Sequence, residues 1–454
     1  MRIAVTGGSG ELGTHVLRRL AVDDAVTELR CVDLRPPLVC SPKVRYVEAD
    51  VRDRAALAQA FDGCDAVLHF AFIVTRKLPR DVFWGINVDG SKNAFEAAAA
   101  VGVKRVVYTS SVAQYGVVPG QPVPIVEDTP RRPQPELPYA ATKQEVEEWL
   151  DGFEAEHPGI AVTRLRPALL VGEGMEHGLG RLWKRRTLLA PRGAPIPIVW
   201  DEDVADAVLL ALRKGARGAF NVVAADQRPP GELARACGMR ALEPPRSMGI
   251  ALARLSPWLE KLDLLEAFDE QWLAAGESTF VVSSEKARRE LGWTPTCPTA
   301  LDVMRRFVEV VPARLDRRIA AFLRAVALVA RLTPRMPVPG EAGRGRSRLW
   351  WRLTGAGGGD VGILWDAGKL TVTRKPPRPP GAIAPMPAAA LLDVLAGRTH
   401  LATLLFTDQV RVEGDREAAS ALAWLIDDFP TDAGARGLLA RAVSAAVRAN
   451  TTAR

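Results

Sequence analysis

Short, mostly apolar runs alternate with longer amphipathic stretches through the first part of the chain. The runs are residues 2–6, 29–33, 44–47, 66–70, 105–109 and 161–165. Between the first two, Leu12, Val16, Leu17 and Leu20 recur at the spacing of one helical face. Strands that are apolar throughout, rather than on alternate residues, are covered on both faces. Strands separated by helices imply a parallel sheet with helices on either side. The predicted fold class is α/β, a doubly wound parallel sheet.

Beyond residue 165 the pattern loosens. Residues 190–197 are rich in proline, arginine and glycine, and 225–298 read as helical, with Trp258, Trp272 and Trp293. Segments 170–200 and 225–298 are expected to form a small substrate lobe beside the sheet. Leu315, Ile319, Phe322, Val326 and Val329 mark one side of a basic amphipathic helix over 314–331. Residues 334–348 carry prolines and glycines in the density of a linker. An α+β pattern follows. It has a hairpin of 362–365 and 370–373 turning at 366–368, a helix over 391–397 with a glycine stop, a strand over 410–415 and a helix over 416–426. The expected domains are 1–310, a helix and linker over 311–348, and 349–454.

The chain has 454 residues, 48% hydrophobic and 25% charged, enough apolar material for more than one core. Its formal net charge of +7 is unevenly placed, with 21 basic and 12 acidic side chains after residue 310 against 39 and 41 before it. The basic character therefore belongs to the C-terminal third. Its amphipathic helix raises peripheral contact with an anionic membrane as one reading and packing against protein as the other. No nucleic-acid-binding motif accompanies it. Five cysteines form no CxxC or metal-like cluster, so no metal is expected. Those cysteines, together with a start lacking a signal-peptide pattern, lead to the expectation of a cytoplasmic protein. No apolar run is long enough to span a bilayer.

The candidate chemistry begins at residue 7. Gly7, Gly10 and Gly13 follow a strand and open a helix, enclosing Glu11 and Leu12. Glycines there let the backbone approach a pyrophosphate, and the helix start offers N–H groups and a positive dipole end. Asp33 ends the second strand, about 20 residues on, where an acid grips ribose hydroxyls. Its charge would repel a 2′-phosphate, which favours NAD over NADP. Tyr139 and Lys143 are four residues apart, one helical turn. An ammonium beside a phenol would lower the phenol's pKa, and such a tyrosine can exchange a proton with an alcohol. His15 and His177 fit no triad, and Glu173, Glu176 and His177, which follow the strand ending at Arg166-Pro167 near where substrate would bind, read as a solvated loop. Arg181, Lys184, Arg185 and Arg186 are either anion contacts or a solvated helix face.

Taken in order, these motifs resemble the extended short-chain dehydrogenase/reductase family, the NAD-dependent epimerase/dehydratase group, over about residues 1–310. The resemblance implies a Rossmann-type fold, with Ser111, Tyr139 and Lys143 as catalytic residues. Asp50 and Val51 resemble the family's adenine-contacting pair. Phe70 and Ala71 resemble the family's strand end where the backbone passes the cofactor, and Asn87 resembles the asparagine that supports its central helix. Ser110 and Pro167 sit at strand ends near the nicotinamide. Phe72 stands where the family commonly has a small residue. Residues 350–430 resemble the sterol carrier protein 2-like domain, which implies an apolar cavity and a lipid-like partner. Together these imply an NAD(P)-dependent oxidoreductase, with NAD favoured, acting on a lipid-like or steroid alcohol or ketone, with a homodimer plausible by resemblance. A sugar-nucleotide epimerase or dehydratase and a non-catalytic NAD-sensing lipid binder remain as alternatives.

Overall fold

The computed structural model describes residues 1–74, 78–118, 120–132, 137–172, 187–189, 193–261 and 279–311. Beyond these it describes 319–320, 322–324, 327, 346–354, 359–366, 369–373, 377, 379–395, 398–406, 410 and 412–414. The chain divides into two compact units. The first is Met1–Pro37 with Pro42–Val308, and the second is Leu38–Ser41 with Glu309–Arg454.

The first unit is built on seven parallel strands. Its first six are β1 (Arg2–Thr6), β2 (Glu28–Asp33), β3 (Val44–Glu48), β4 (Ala66–His69), β5 (Arg105–Thr109) and β6 (Ala161–Pro167). Short strands β7 (Leu169–Val171), β8 (Thr187–Leu189) and β9 (Ile198–Trp200) precede β10 (Gly218–Val222), the seventh strand of the sheet, and β11 (Arg240–Leu242) follows. The sheet order is β10-β6-β5-β4-β1-β2-β3. The chain runs outward from β1 in one direction and then restarts at β4 in the other, so the strand order reverses between them. Doubly wound sheets bind ligands outside the carboxyl ends of the strands at that reversal. The register brings those ends level: Thr6 pairs with Val32 and His69, His69 with Tyr108, and Thr109 with Leu165. Gly7, Asp33, Phe70, Ser110 and Arg166 therefore follow along one edge.

Helix α1 (Glu11–Ala21) buries Val16, Leu17 and Leu20 of the stripe read from the sequence, and Leu12 is partly buried. Helices α2 (Arg54–Phe61), α3 (Arg80–Trp84) and α4 (Gly90–Ala100) follow. The Asp53 side chain caps α2 by accepting from Ala56 N at 2.9 Å, satisfying a first-turn N–H. Gly85–Asp89, a widened turn, leads into α4 and carries Asn87. The long α5 (Pro138–Glu156) starts with a proline, whose fixed φ suits a helix's first turn. It buries Val146, Leu150 and Phe153 against a core shared with Phe61, Phe95 and Val106.

Helix α6 (Asp201–Lys214) is tied to a later segment through Asp203. Its carboxylate accepts from Thr296 N at 2.7 Å and Cys297 N at 3.0 Å, while its carbonyl accepts from the buried Trp293 Nε1 at 2.8 Å. Within the expected helical stretch 225–298, Pro230–Ala236 and Arg246–Lys261 are helices, Arg240–Leu242 is a short strand, and Trp272 lies outside the described residues.

In the second unit, β12 (Arg346–Thr354), β13 (Gly359–Asp366), β14 (Lys369–Thr373), β15 (Ala382–Pro387) and β16 (Glu413–Gly414) form a sheet ordered β14-β13-β12-β15-β16. The β13–β14 pair is antiparallel, as the expected hairpin requires, whereas β12 and β15 are parallel. The expected 391–397 helix runs instead over Ala388–Leu395. Of the expected 410–415 strand Glu413–Gly414 pairs among the described residues, while Arg411, Asp415 and the 416–426 helix lie outside them. Trp351, Leu353, Ile363, Met386 and Leu391 form this unit's core together with Ile319 and Leu323. Ile319, from the stripe of the expected basic amphipathic helix, is thus consumed by protein packing. Among the described residues no helix is long and apolar enough to cross a membrane.

Candidate active site

The glycine loop is shaped by close backbone approach. Gly7 has φ +70°, and a Cβ there would stand 2.5 Å from Ala71 N. At Gly13 a Cβ would meet Gly7 O at 2.4 Å. At Gly10 the nearest obstacle, Gly7 O, is 3.1 Å away. Helix α1 begins at Gly10 with no side-chain cap. An anion resting on that first turn, among Glu11, Leu12 and Gly13, would satisfy N–H groups no side chain caps. A dinucleotide pyrophosphate fits this cradle.

Asp33 closes the cradle on one side. Its carboxylate accepts from Ser9 N at 3.1 Å and Arg35 N at 3.1 Å, which fixes its direction while leaving lone pairs for hydroxyl donors. The hydroxyl of Ser9 in turn donates to Arg35 O. Asp50 is gripped by its neighbour Arg52, through the guanidinium at 2.6 Å and the backbone N–H at 2.9 Å, and these hold its carboxyl below the usual range. Val51 is packed so tightly on α4 that a Cβ on Gly90 would come within 2.5 Å of it.

The next strand end is held by buried polar groups. His69 Nδ1 lies 2.7 Å from Thr6 Oγ1 and its Nε2 lies 3.0 Å from Ser91 Oγ, linking β1, β4 and α4. Burial, with the nearby Lys143 charge, lowers its pKa to about 3, so it is a neutral strut at physiological pH. Phe70 N donates to Thr6 O at 3.0 Å. Asn87 clamps the chain two residues beyond Ala71, its Oδ1 accepting from Ile73 N at 2.8 Å and its Nδ2 donating to Ile73 O at 2.9 Å. The sequence reading gave Asn87 to the central helix, and its side chain also holds the strand-end loop.

Ser111, Tyr139 and Lys143 come together where β5 ends and α5 begins. Ser111 starts a short helical turn, its Oγ accepting from Ala113 N at 3.1 Å. Burial raises the Tyr139 pKa, and a hydrogen bond with Ser111 pulls partly against that rise. Lys143 is buried, and its Nζ donates to Thr109 O at 2.6 Å and Tyr108 OH at 3.3 Å. It also stands 3.3 Å from the centre of the Phe72 ring but 5.8 Å from that of Tyr139. The expectation that Lys143 lowers the Tyr139 pKa is therefore corrected. Burial pushes the phenol up and the ammonium well down, the Glu147 charge opposing the latter, and Lys143 Nζ is turned to a carbonyl, a second phenol and an aromatic face.

The sequence reading did not reach Glu147, one turn beyond Lys143. It is buried and pairs in two-pronged fashion with buried Arg166, at 2.9 Å from Nε and 2.5 Å from Nη2. Burial alone would raise Glu147, yet Arg166 and the Ser110 hydroxyl hold it below the usual carboxylate range. Arg166 also donates to Tyr115 OH at 2.6 Å, and Gln114 Nε2 donates to Ser110 Oγ at 3.3 Å. The Ser110 side chain thus joins a packing network behind the site. Pro167 is buried, paired in register with Val222. The signal for Glu147 was present as a third member of the spacing Tyr139, Lys143, Glu147.

His15 packs on α6, Nε2 3.0 Å from Asp201 Oδ2, away from this cluster. Glu173, Glu176, His177, Arg181, Lys184, Arg185 and Arg186 lie outside the described residues. Among the described residues no group of three His, Cys, Asp or Glu side chains could hold a metal ion.

Residues 3–223 match the NAD dependent epimerase/dehydratase family. The matched stretch runs through all seven strands of the parallel sheet. A UDP-glucose 4-epimerase of Lacticaseibacillus casei is 27% identical over 330 residues, covering 65% of this chain and 92% of its own length. An Arabidopsis thaliana 3beta-hydroxysteroid-dehydrogenase/decarboxylase, isoform 2, is 29% identical over 37% of this chain and 32% of its own. The chain spans 56% of the length of another curated relative, so correspondence to whole relatives is uneven. Among solved structures, the NAD complex of Thermus thermophilus UDP-glucose 4-epimerase shares the fold. Its TM-score is 0.51 at 24% identity, covering 68% of this chain and 98% of that one.

Proposed function

We propose that this protein interconverts a secondary alcohol and its ketone using NAD, with Tyr139 exchanging the substrate's proton. The observation that carries the reading is the meeting of Ser111, after β5, with Tyr139, whose pKa it draws down, and Lys143 one turn along α5, at the same sheet edge as the glycine cradle. Gly7, Gly10, Glu11, Leu12 and Gly13 would hold the pyrophosphate, and Asp33 the adenosine ribose. Asp50 and Val51 would border the adenine. Phe70, Ala71, Asn87, Ser110, Tyr139, Lys143 and Pro167 would border the nicotinamide half. When bound, NAD supplies the hydride acceptor, or in its reduced form the donor.

In the reducing direction Tyr139 donates its phenolic proton to the carbonyl oxygen, and the Ser111 hydroxyl hydrogen-bonds and orients the same oxygen. In the oxidising direction the phenolate takes the hydroxyl proton. Burial keeps the phenol protonated at neutral pH, so the site stands ready to donate. The favoured substrate is a lipid-like or steroid alcohol. Phe72, edge-on to Tyr139 at 5.8 Å, makes an apolar wall, and one relative is a hydroxysteroid dehydrogenase. A lipid-carrying role for the second unit belongs to the same reading. A sugar-nucleotide epimerase is the second reading, favoured by the relative that aligns over 92% of its length.

Tyr139→Phe should keep NAD binding, read by titration, and lower turnover by about 10²–10⁴-fold. Turnover like that of the native chain would sink the assignment. Accumulation of reduced nicotinamide with a sterol panel favours dehydrogenation. Conversion of a UDP-sugar without it favours epimerisation, because an epimerase returns its hydride.

A further inference from the structure

The ammonium of Lys143 has three donor directions. Two are taken by Thr109 O and Tyr108 OH, and the face of Phe72 lies 3.3 Å from the nitrogen. Phe72 is also edge-on to Tyr139. One aromatic ring therefore touches both members of the pair. Its backbone is held on either side. Ala71 is pressed against Gly7, where not even a Cβ fits, and Ile73 is clamped through both N–H and C=O by Asn87. The loop cannot easily withdraw the ring, but side-chain rotation can, because Phe72 itself is only partly buried.

We propose that Phe72 is an access-controlling residue: its ring covers Lys143, and a polar ligand reaches the ammonium only when that ring turns away on a fixed backbone. The proposal rests on the reading that Lys143 serves the nicotinamide half of the dinucleotide. It adds that rotation of Phe72 sets how fast that half is engaged. A cation–aromatic contact of this kind is strong enough to hold the ring and weak enough to be displaced by hydroxyl acceptors.

The test uses the full chain as Phe72→Ala and, to keep aliphatic bulk without an aromatic face, Phe72→Leu. Both are first matched to the native chain in melting temperature. Lysines are acetylated at high pH with acetic anhydride, which releases acetate, and the labelling rate at Lys143 is read by peptide mass spectrometry. We expect Lys143 labelling to rise about 5-fold or more in Phe72→Ala, with other lysines unchanged and Phe72→Leu between. NAD association, followed by stopped-flow fluorescence, should speed up in the same order. Unchanged Lys143 labelling in a folded Phe72→Ala protein overturns the cover. Faster labelling with an unchanged NAD association rate overturns the control of access. If labelling rises but NAD binds neither protein, the cofactor reading fails while the cover itself stands.

Discussion

Tyr139 and Lys143 share a helix face, yet the groups around each pull them in opposite directions. Burial makes the phenol reluctant to ionise and the ammonium reluctant to stay charged. Ser111 acts against this on Tyr139, its hydrogen bond favouring ionisation. Ser111→Ala should therefore raise the Tyr139 pKa further. In alcohol oxidation, which needs phenolate, the rising limb of the pH–rate profile should move to higher pH. In ketone reduction, which needs phenol, activity should persist to higher pH. Loss of a hydrogen bond to the reacting oxygen should also lower kcat by about 10²–10³-fold. Profiles in both directions check this, and unmoved limbs would argue against the contact. The residues of the pair were legible because their spacing is local. Their electrostatics were not, since the carbonyl of Thr109 and the phenol of Tyr108 arrive from β5 and the ring of Phe72 from the loop after β4.

Helix α5 carries more than the pair. Glu147 continues the same face inward and meets Arg166 from β6, a charge pair fully enclosed by protein. Removing one partner of such a pair leaves the other charge buried and uncompensated. Glu147→Ala should lower stability by about 3–5 kcal/mol in equilibrium urea unfolding. Glu147→Gln, which keeps some hydrogen bonding, should lose less. A loss under about 1 kcal/mol for Glu147→Ala would show the pair to be dispensable. At this scale most of the parallel sheet could be read, because buried strands are apolar along their whole length. Strand β10 was not read. Gly218–Val222 is short, opens on a glycine and owes its place to pairing with β6, far away in sequence. The extra residues of β6 have the same origin, since Arg166 and Pro167 pair with Asn221 and Val222.

Among the described residues each unit has a core of its own, the first around Phe61, Phe95 and Val106 and the second around Trp351, Ile363 and Met386. Multidomain chains of this kind depart from a single all-or-none transition. Calorimetry should resolve two unfolding events, with NAD raising only the one belonging to the dinucleotide unit. Trp351→Ala should lower the other, through a cavity cost of about 3–5 kcal/mol. One transition, raised throughout by NAD and lowered by Trp351→Ala, would contradict this. The amino-acid sequence by itself determined the alternating sheet, the glycine cradle and the order of Ser111, Tyr139 and Lys143, because periodicity and short spacings are local properties of the chain. Only the tertiary structure decided that Lys143 is capped by Phe72, that Asn87 clamps Ile73, and that Glu147 neutralises Arg166. Each of these joins residues from different elements, and burial then sets their charge states through neighbours that no local spacing reveals.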